Sequence, residues 1–438
     1  LSTIADEVAA LRGTKPATFK DLLTHPAFSR LLAAQTVSSL GDWVGFVAVS
    51  ALVLRLGGAY AVSGVMVARM LPAVLFGPIA GVLADRADRK RVMIVADLAR
   101  AALYAAMPFL GRLWGIYLAS FVIECFSLLW TPSRDASLPN LVPRRQLANA
   151  NALGLVMTYV TLPVAGLIFA FFAEASGAIP YFETNQEALP LILDAATFLF
   201  SAFMLTRIRF PPPAAHQVER LDMSRVGRDI AGGVRFLRED SLASAMTLGI
   251  VVAFSAVGAV LALGPIFATE TLAAGNTGWG ILVTSFGIGM VIGLALSNKV
   301  VEFVEREHVF VWSLMAAAGT LFVLAAMPTI ELAAIVAVGL GIFCGSAWVS
   351  GYVLLQENVE DEFRGRTFGA LTVLSRLGLF LSLAVFPLLA GIVGTHEVFL
   401  GDQRVDLSGT RVALWVAGAA VVVASLFARR GLSRFRVS

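Results

Sequence analysis

The feature that most constrains this 438-residue chain is a succession of twelve apolar stretches, each about twenty residues long, separated by polar connections. A run of that length crosses the hydrocarbon core of a bilayer as an α-helix. Lipid offers no partners to backbone N–H and C=O groups, so each span must satisfy them within itself. Composition agrees: 58% of residues are apolar and 14% charged, with a mean hydropathy of +0.81, against ~45–50% and ~25% in soluble domains. Surface-to-volume scaling leaves a soluble fold of this size no interior large enough to hide that much apolar surface.

The spans are read at 30–56, 60–83, 92–111, 114–133, 148–173 and 188–206, then at 241–265, 278–299, 308–327, 331–355, 366–393 and 410–430. They divide six and six around the polar connection 207–240, which opens with Pro211-Pro212-Pro213 and offers a surface helix from Ser224 to Arg238. The predicted organisation is a segment 1–27, a six-helix bundle 28–206, a linker 207–240, a second six-helix bundle 241–430 and a basic tail 431–438. Near-equal halves imply an internal duplication, hence an all-α membrane protein of two bundles related by a pseudo-twofold axis. The polar stretch from Leu1 to about Thr24 does not read as a signal peptide.

Lys and Arg sort by side. Alternate connections gather Arg12, Lys15, Lys20, Arg30, Arg86, Arg89, Lys90, Arg91, Arg100, Arg134, Arg144 and Arg145 on one face. With the seven Arg of 207–240, Lys299, Arg306, Arg364, Arg366, Arg429, Arg430, Arg434 and Arg436, that face holds 27 of the 33 basic residues. The positive-inside rule then places both termini in the cytoplasm and the protein in the cytoplasmic (inner) membrane.

Several functions are disfavoured. Cys125 and Cys344 lie in apolar runs and the four histidines are scattered, so neither a disulfide framework nor a metal site is indicated. There is no G-x-x-x-x-G-K-[ST] loop to bind ATP phosphates. The net charge of +3 is spread between spans and gives no nucleic-acid surface. An intramembrane aspartyl protease needs two facing aspartates, and its G-x-G-D appears only as Ser39-Leu40-Gly41-Asp42. No enzyme activity and no cofactor are expected.

Charges inside spans are costly and default to function. Asp42 lies twelve residues into span 1, about 18 Å deep, and Arg69 lies ~20 Å into span 2; the two are expected to pair near the midplane. Glu124, ~15 Å into span 4, is a second proton carrier, and Asp194 in span 6 is a third, shallower one at which capping of the span competes. Arg376 in span 11 has no acid at similar depth in its half, and is expected to face a wet cavity and a substrate's anionic group. Trp43, Phe46, Tyr159, Phe254, Phe286, Trp348 and Tyr352 are candidate apolar contacts. Acids in the first half and aromatic packing in the second divide the labour into coupling and substrate binding. Gly278, Gly280, Gly287, Gly289 and Gly293 in span 8 permit close helix approach.

The connection between spans 2 and 3 reads Gly81-Val82-Leu83-Ala84-Asp85-Arg86-Ala87-Asp88-Arg89-Lys90-Arg91. It resembles the loop 2–3 signature of the major facilitator superfamily, G-x-L-a-D-r-x-G-r-K/R, and lies in the matching loop of a twelve-span chain. Ser38-Ser39-Leu40-Gly41-Asp42-Trp43, Arg69-Met70-Leu71-Pro72, Leu138-Pro139-Asn140-Leu141-Val142-Pro143, Asn149-Ala150-Asn151 and Arg364-Gly365-Arg366 are similar to its drug-exporter-like branch, which includes macrolide, siderophore and lysophospholipid exporters. Three places depart from the pattern: Asp88 replaces the signature's second Gly, the antiporter motif of span 5 is reduced to Leu162-Pro163-Val164-Ala165-Gly166, and Ser297 stands where the repeat after span 8 would carry its acid.

The resemblance implies a conformational switch at Gly81, Asp85, Arg86, Arg89 and Lys90, with Asp85 touching the start of span 11 and Arg89 reaching Asp135 at the end of span 4. It implies a monomeric secondary transporter, a proton-coupled multidrug antiporter exporting small amphipathic compounds by alternating access. Protons, membrane lipids and a small-molecule or lipid substrate are the expected partners. A lysophospholipid cargo bound through Arg69 and Arg376 is the alternative, and a non-transporting membrane anchor the remote one.

Overall fold

The computed structural model describes residues 19–86, 88–176, 179–180, 182–210, 241–359, 361–400 and 403–435. A short helix α1 (Phe19–Leu23) precedes α2 (Pro26–Arg86), a long helical element that carries spans 1 and 2. Its two arms part at Gly57 (φ −158°, ψ 17°) and Gly58 (φ 66°, ψ −160°), where the chain turns back. Gly58 occupies a region essentially closed to residues with a Cβ. Then follow α3 (Arg89–Ala106), α4 (Leu113–Ser137), α5 (Leu147–Ser176) and α6 (Ala188–Thr206). The second half holds α7 (Ser241–Ile266), α8 (Gly275–Val300), α9 (Arg306–Ala326), α10 (Ile330–Asn358), α11 (Asp361–Val393) and α12 (Gly409–Phe435). With α2 counted as two, twelve helices are long and apolar enough to cross a membrane among the described residues.

The two sixes form separate bundles joined by two seams. One is α5 against α8; the other is the second arm of α2 against α11. A shift of six spans turns the first seam into the second, as the pseudo-twofold axis requires. Pro163 in α5 and Pro387 in α11 occupy equivalent helices. In the first seam the approach is at backbone distance. A Cβ added to Gly280 would fall 2.6 Å from the Gly166 carbonyl oxygen, and one on Gly287 would fall 2.8 Å from the Pro163 ring. The reduced span-5 motif thus meets the span-8 glycines. Gly289 and Gly293 face α10, their added Cβ atoms 2.0 and 2.1 Å from the carbonyls of Val338 and Ile342.

The halves are also tied at the end remote from the basic face. There Asn276 donates to Glu187 (3.0 Å) and Gln186 (3.2 Å), Thr277 to Glu174 (3.0 Å), Trp279 Nε1 to Ser50 (3.2 Å), and Ser63 to the Ala384 carbonyl. Arg55 pairs with Glu187 at 3.2 Å. Beside them the connection 394–409 contains an antiparallel hairpin, β1 (Thr395–Leu400) and β2 (Gln403–Ser408), with Leu400 opposite Gln403. Hydropathy over twenty residues marks only the flanking helices, so the two short strands fall within a stretch whose sequence reads as a polar connection. The surface helix expected at 224–238 falls outside the described residues.

At the loop 2–3 corner, Asp88 accepts hydrogen bonds from the backbone N–H groups of Lys90 (3.0 Å) and Arg91 (3.2 Å), so the residue replacing the signature glycine caps α3. Arg89 donates to the Ala136 carbonyl at 2.7 Å, and Lys90 to those of Thr206 (2.9 Å) and Ile208 (2.7 Å). Both cations thus serve unpaired carbonyls at helix C-termini. The Arg89–Asp135 contact implied by the resemblance is therefore corrected: Asp135 pairs with Arg134 at 2.7 Å, and Arg89 takes the carbonyl one residue on. The side chains of Gly81, Asp85 and Arg86 lie outside the described residues.

Candidate functional site

Spans 1–4 and 6 converge on a cluster of six charged side chains deep in the first bundle. Arg69, on the second arm of α2, is 8% exposed and pairs with Glu124 of α4 at 2.7 Å. Its guanidinium also donates to the Tyr104 hydroxyl (3.3 Å) and lies over the Phe46 ring at 5.6 Å. Arg100, on α3, is 3% exposed and forms a short ion pair with fully buried Asp97 one turn earlier. Asp97 in turn accepts from Ser201 of α6 at 2.7 Å. The same guanidinium faces Asp42 at 3.8 Å and stacks over Phe198, 4.2 Å from the ring centroid.

The expected Asp42–Arg69 ion pair is therefore replaced by two others, Arg69–Glu124 and Asp42–Arg100. Similar depth brings Asp42 and Arg69 to one cavity, but helix rotation hands each a different partner. Arg100, counted with the basic face although it lies within span 3, is buried in this cluster. Asp194 does not act as a cap near the outer end. It is fully buried against span 1, accepts from Thr197 (3.3 Å), and occupies the space where Cβ atoms on Gly41 and Gly45 would stand, 2.3 and 2.0 Å from its two oxygens. The glycine of Gly41-Asp42 is thus there to admit a carboxylate from α6.

Asp97, Arg100, Tyr104, Thr197 and Ser201 were not anticipated. One signal was available: an acid and a base at i and i+3 inside an apolar run, the spacing of a same-face helical pair. Tyr104 stacks on Phe198 at 5.7 Å, and as a core aromatic it carries no mark of its own in sequence.

Two cavities open beside the cluster, sharing Leu379. The first, about 300 Å³, is lined by Ser39, Asp42, Trp43, Phe46, Arg69 and Glu124, with Leu261 and Leu383 closing it from the second bundle. The second, about 290 Å³, gathers Tyr159 of α5 with Phe254, Trp348, Tyr352, Ser375 and Arg376. Arg376 is exposed to it, and no carboxylate stands among the described residues that line it. Of the nine side chains predicted as substrate contacts, eight divide between the two cavities, three in the first and five in the second. Phe286, by contrast, is 2% exposed and packs in the core. Ser297, in the place of the missing acid, shares a 3.0 Å hydrogen bond with Ser350 of α10.

No group of three or more His, Cys, Asp or Glu residues among the described ones is arranged to hold a metal ion. The sequence profile of the family described as transmembrane secretion effector, a major facilitator group, matches residues 18–401. The chain belongs to that family. Members of the superfamily are transporters rather than enzymes.

Among its relatives, the MFS-type transporter YfiS of Bacillus subtilis is 27% identical over 84% of this chain and 88% of its own length. Macrolide efflux protein A of Streptococcus pyogenes is 24% identical, covering 82% and 86%. The putative bacilysin exporter BacE of Bacillus subtilis is 25% identical, covering 84% and 91%. In fold the chain resembles the crystal structure of a bacterial homologue of the human lysosomal transporter Spinster in an inward-facing, occupied conformation. The TM-score is 0.71 at 14% identity, over 93% of this chain and 97% of that one. This secretion-effector chain is therefore a multi-pass membrane transporter with efflux proteins among its relatives.

Proposed function

We propose that the protein exports small amphipathic, drug-like compounds across the cytoplasmic membrane in exchange for protons, by alternating access between its two bundles, with both termini in the cytoplasm. The observation that carries this reading is the first cavity, where Asp42 and Glu124 stand beside Trp43, Phe46 and Leu261. One space therefore offers two carboxylates and an apolar contact surface, the pairing that lets proton and amphipathic cargo exclude one another. The cluster holds four carboxylates, Asp97 and Asp194 buried and Asp42 and Glu124 facing the cavity, to two buried guanidiniums, Arg69 and Arg100. Uncompensated charge is expensive inside a membrane, so protons or a cationic cargo make up the difference. Neutralising Glu124 frees Arg69, and neutralising Asp42 frees one side of Arg100, so proton occupancy resets the contacts among spans 1 to 4.

The relatives named for macrolide efflux and bacilysin export favour outward transport of such cargo. Closure at the end remote from the basic face, with cavities between the bundles, is the arrangement expected of a carrier receiving cargo from the cytoplasm. The loop 2–3 cations take part as clamps on the ends of α4 and α6, carrying span 3 with them when the bundles rock.

Arg376 in the second cavity, surrounded by aromatics and without a carboxylate among the described lining residues, favours a second reading in which the cargo is a lysophospholipid with its phosphate on Arg376. Proteoliposomes with an imposed pH gradient distinguish the two. Proton flux evoked by a macrolide supports the first, and flux evoked only by a lysophospholipid supports the second. Asp42→Asn with Glu124→Gln is expected to cut that flux more than ten-fold at unchanged expression. Wild-type flux from this double variant refutes the proton role.

A further inference from the structure

Outside the transport path, the basic face carries a third cavity, about 630 Å³, between the start of α2 and the end of α6. It is lined by Pro26, Ala27, Arg30, Phe203, Arg207 and Arg209. Among the described residues that line it, three of six are exposed arginines and none is acidic. No carboxylate forms an ion pair with any of the three among the described residues.

The helix end that would oppose an anion is already occupied. The C-terminus of α6 presents carbonyl oxygens there, but Lys90 takes those of Thr206 and Ile208, and Arg30 takes that of Arg207 at 3.0 Å. A fourth cation thereby sits under the pocket. Across it, the N-terminus of α2 begins at Pro26, contributing a positive helix end.

An apolar track leads into the pocket from the membrane. Ile192, Ala196, Leu199 and Phe203 on α6, then Arg207 at its C-cap, succeed one another at i, i+4, i+7, i+11 and i+15, a single stripe of the helix surface. Ile192, Leu199 and Phe203 are 39%, 52% and 49% exposed, and Phe203 lies against the Arg207 guanidinium at 4.9 Å. A free phosphate ion would use the arginines alone. A phospholipid uses both parts, its phosphate among the guanidiniums and an acyl chain along the stripe.

We propose that Arg30, Arg207 and Arg209 form a binding site for the headgroup of an anionic phospholipid in the leaflet on the basic side. Basic pockets at the membrane boundary bind such headgroups, and the cavity is of ligand size. Each guanidinium is expected to favour the anionic lipid about five-fold, so the three together contribute on the order of a hundred-fold.

The test is native mass spectrometry of the full chain released from nanodiscs of equal phosphatidylglycerol and phosphatidylcholine. The wild type is compared with Arg30→Gln/Arg207→Gln/Arg209→Gln. A charge-matched control, Arg145→Gln/Arg429→Gln/Arg430→Gln, removes three cations elsewhere on the same face, and the conservative triple Lys variant keeps the charge in the pocket. Selective retention of phosphatidylglycerol by the wild type, the control and the Lys variant, lost in the Gln variant at an unchanged melting temperature, supports the site. Equal retention by the wild type and the Gln variant overturns it. So does displacement of the lipid by 10 mM inorganic phosphate, which would make this a free-anion site. If the Gln variant fails to fold, a Phe203→Glu variant, which blocks the acyl track, must lose the lipid instead.

Discussion

Replacing Arg100 by Met is the sharpest test of how the charged cluster is held together. The substitution keeps side-chain volume over the Phe198 ring but strips Asp97, fully buried, of its counter-ion. It also removes the cation 3.8 Å from Asp42. At that separation the attraction to Asp42 alone is about 4 kcal/mol for an effective dielectric of ~20. Removing one partner of a buried pair costs ~3–5 kcal/mol, because the survivor is left uncompensated. For a bundle of this size that lowers the melting temperature by on the order of 10 °C.

A thiol-reactive dye reads unfolding of this bundle through Cys125, adjacent in sequence to Glu124, in a Cys344→Ser background. Asp97→Leu added to Arg100→Met removes the orphaned charge and is expected to restore most of the lost stability, since buried pairs are often replaceable by apolar residues. A single variant that melts within 2 °C of wild type refutes the reasoning, as does a double variant no more stable than the single.

Two further outcomes follow from backbone contacts. Gly280→Val places methyl groups where the Gly166 carbonyl stands 2.6 Å from an added Cβ; overpacking costs ~1–3 kcal/mol, enough to shift the equilibrium by about five-fold to a hundred-fold away from the closed seam. Spin labels at positions 60 and 391, which meet at the other seam on the same end, should then report a longer distance distribution, and an unchanged one contradicts the close-approach role. Gly58→Ala forces a Cβ into φ 66°, ψ −160°, a cost of ~1–3 kcal/mol, and should reduce the yield of folded protein in size-exclusion chromatography, whereas Gly77→Ala, with open space around its added Cβ, should not.

The fold was readable in the chain because hydropathy over twenty residues is a local property. Lipid imposes helix on each span, and the break between spans 1 and 2 falls at Gly57-Gly58, where the apolar runs part. Depth was readable for the same reason, since 1.5 Å per residue converts position into height. Thus Asp42, Arg69 and Glu124 were placed at one level, and all three line one cavity.

Partnership was not readable, because it depends on the rotation of each helix about its own axis and on which helices are neighbours. Arg69 turns to Glu124 and Asp42 to Arg100, and Asp194 enters through the gap left by Gly41 and Gly45, a complementarity between residues about 150 positions apart in the chain. Arg100 shows how the two kinds of information differ. Its charge counted it with the basic face although it lies inside span 3, while burial against Phe198 and Asp97 places it in the core of the bundle. By itself the sequence determined that lipid is the solvent, how many times the chain crosses it, which face is basic, and that Asp42, Arg69 and Glu124 lie within the membrane. Tertiary structure alone decided which of those charges neutralise one another and which are left facing a cavity, because electrostatic pairing acts over a few ångströms in space that no spacing along the chain encodes.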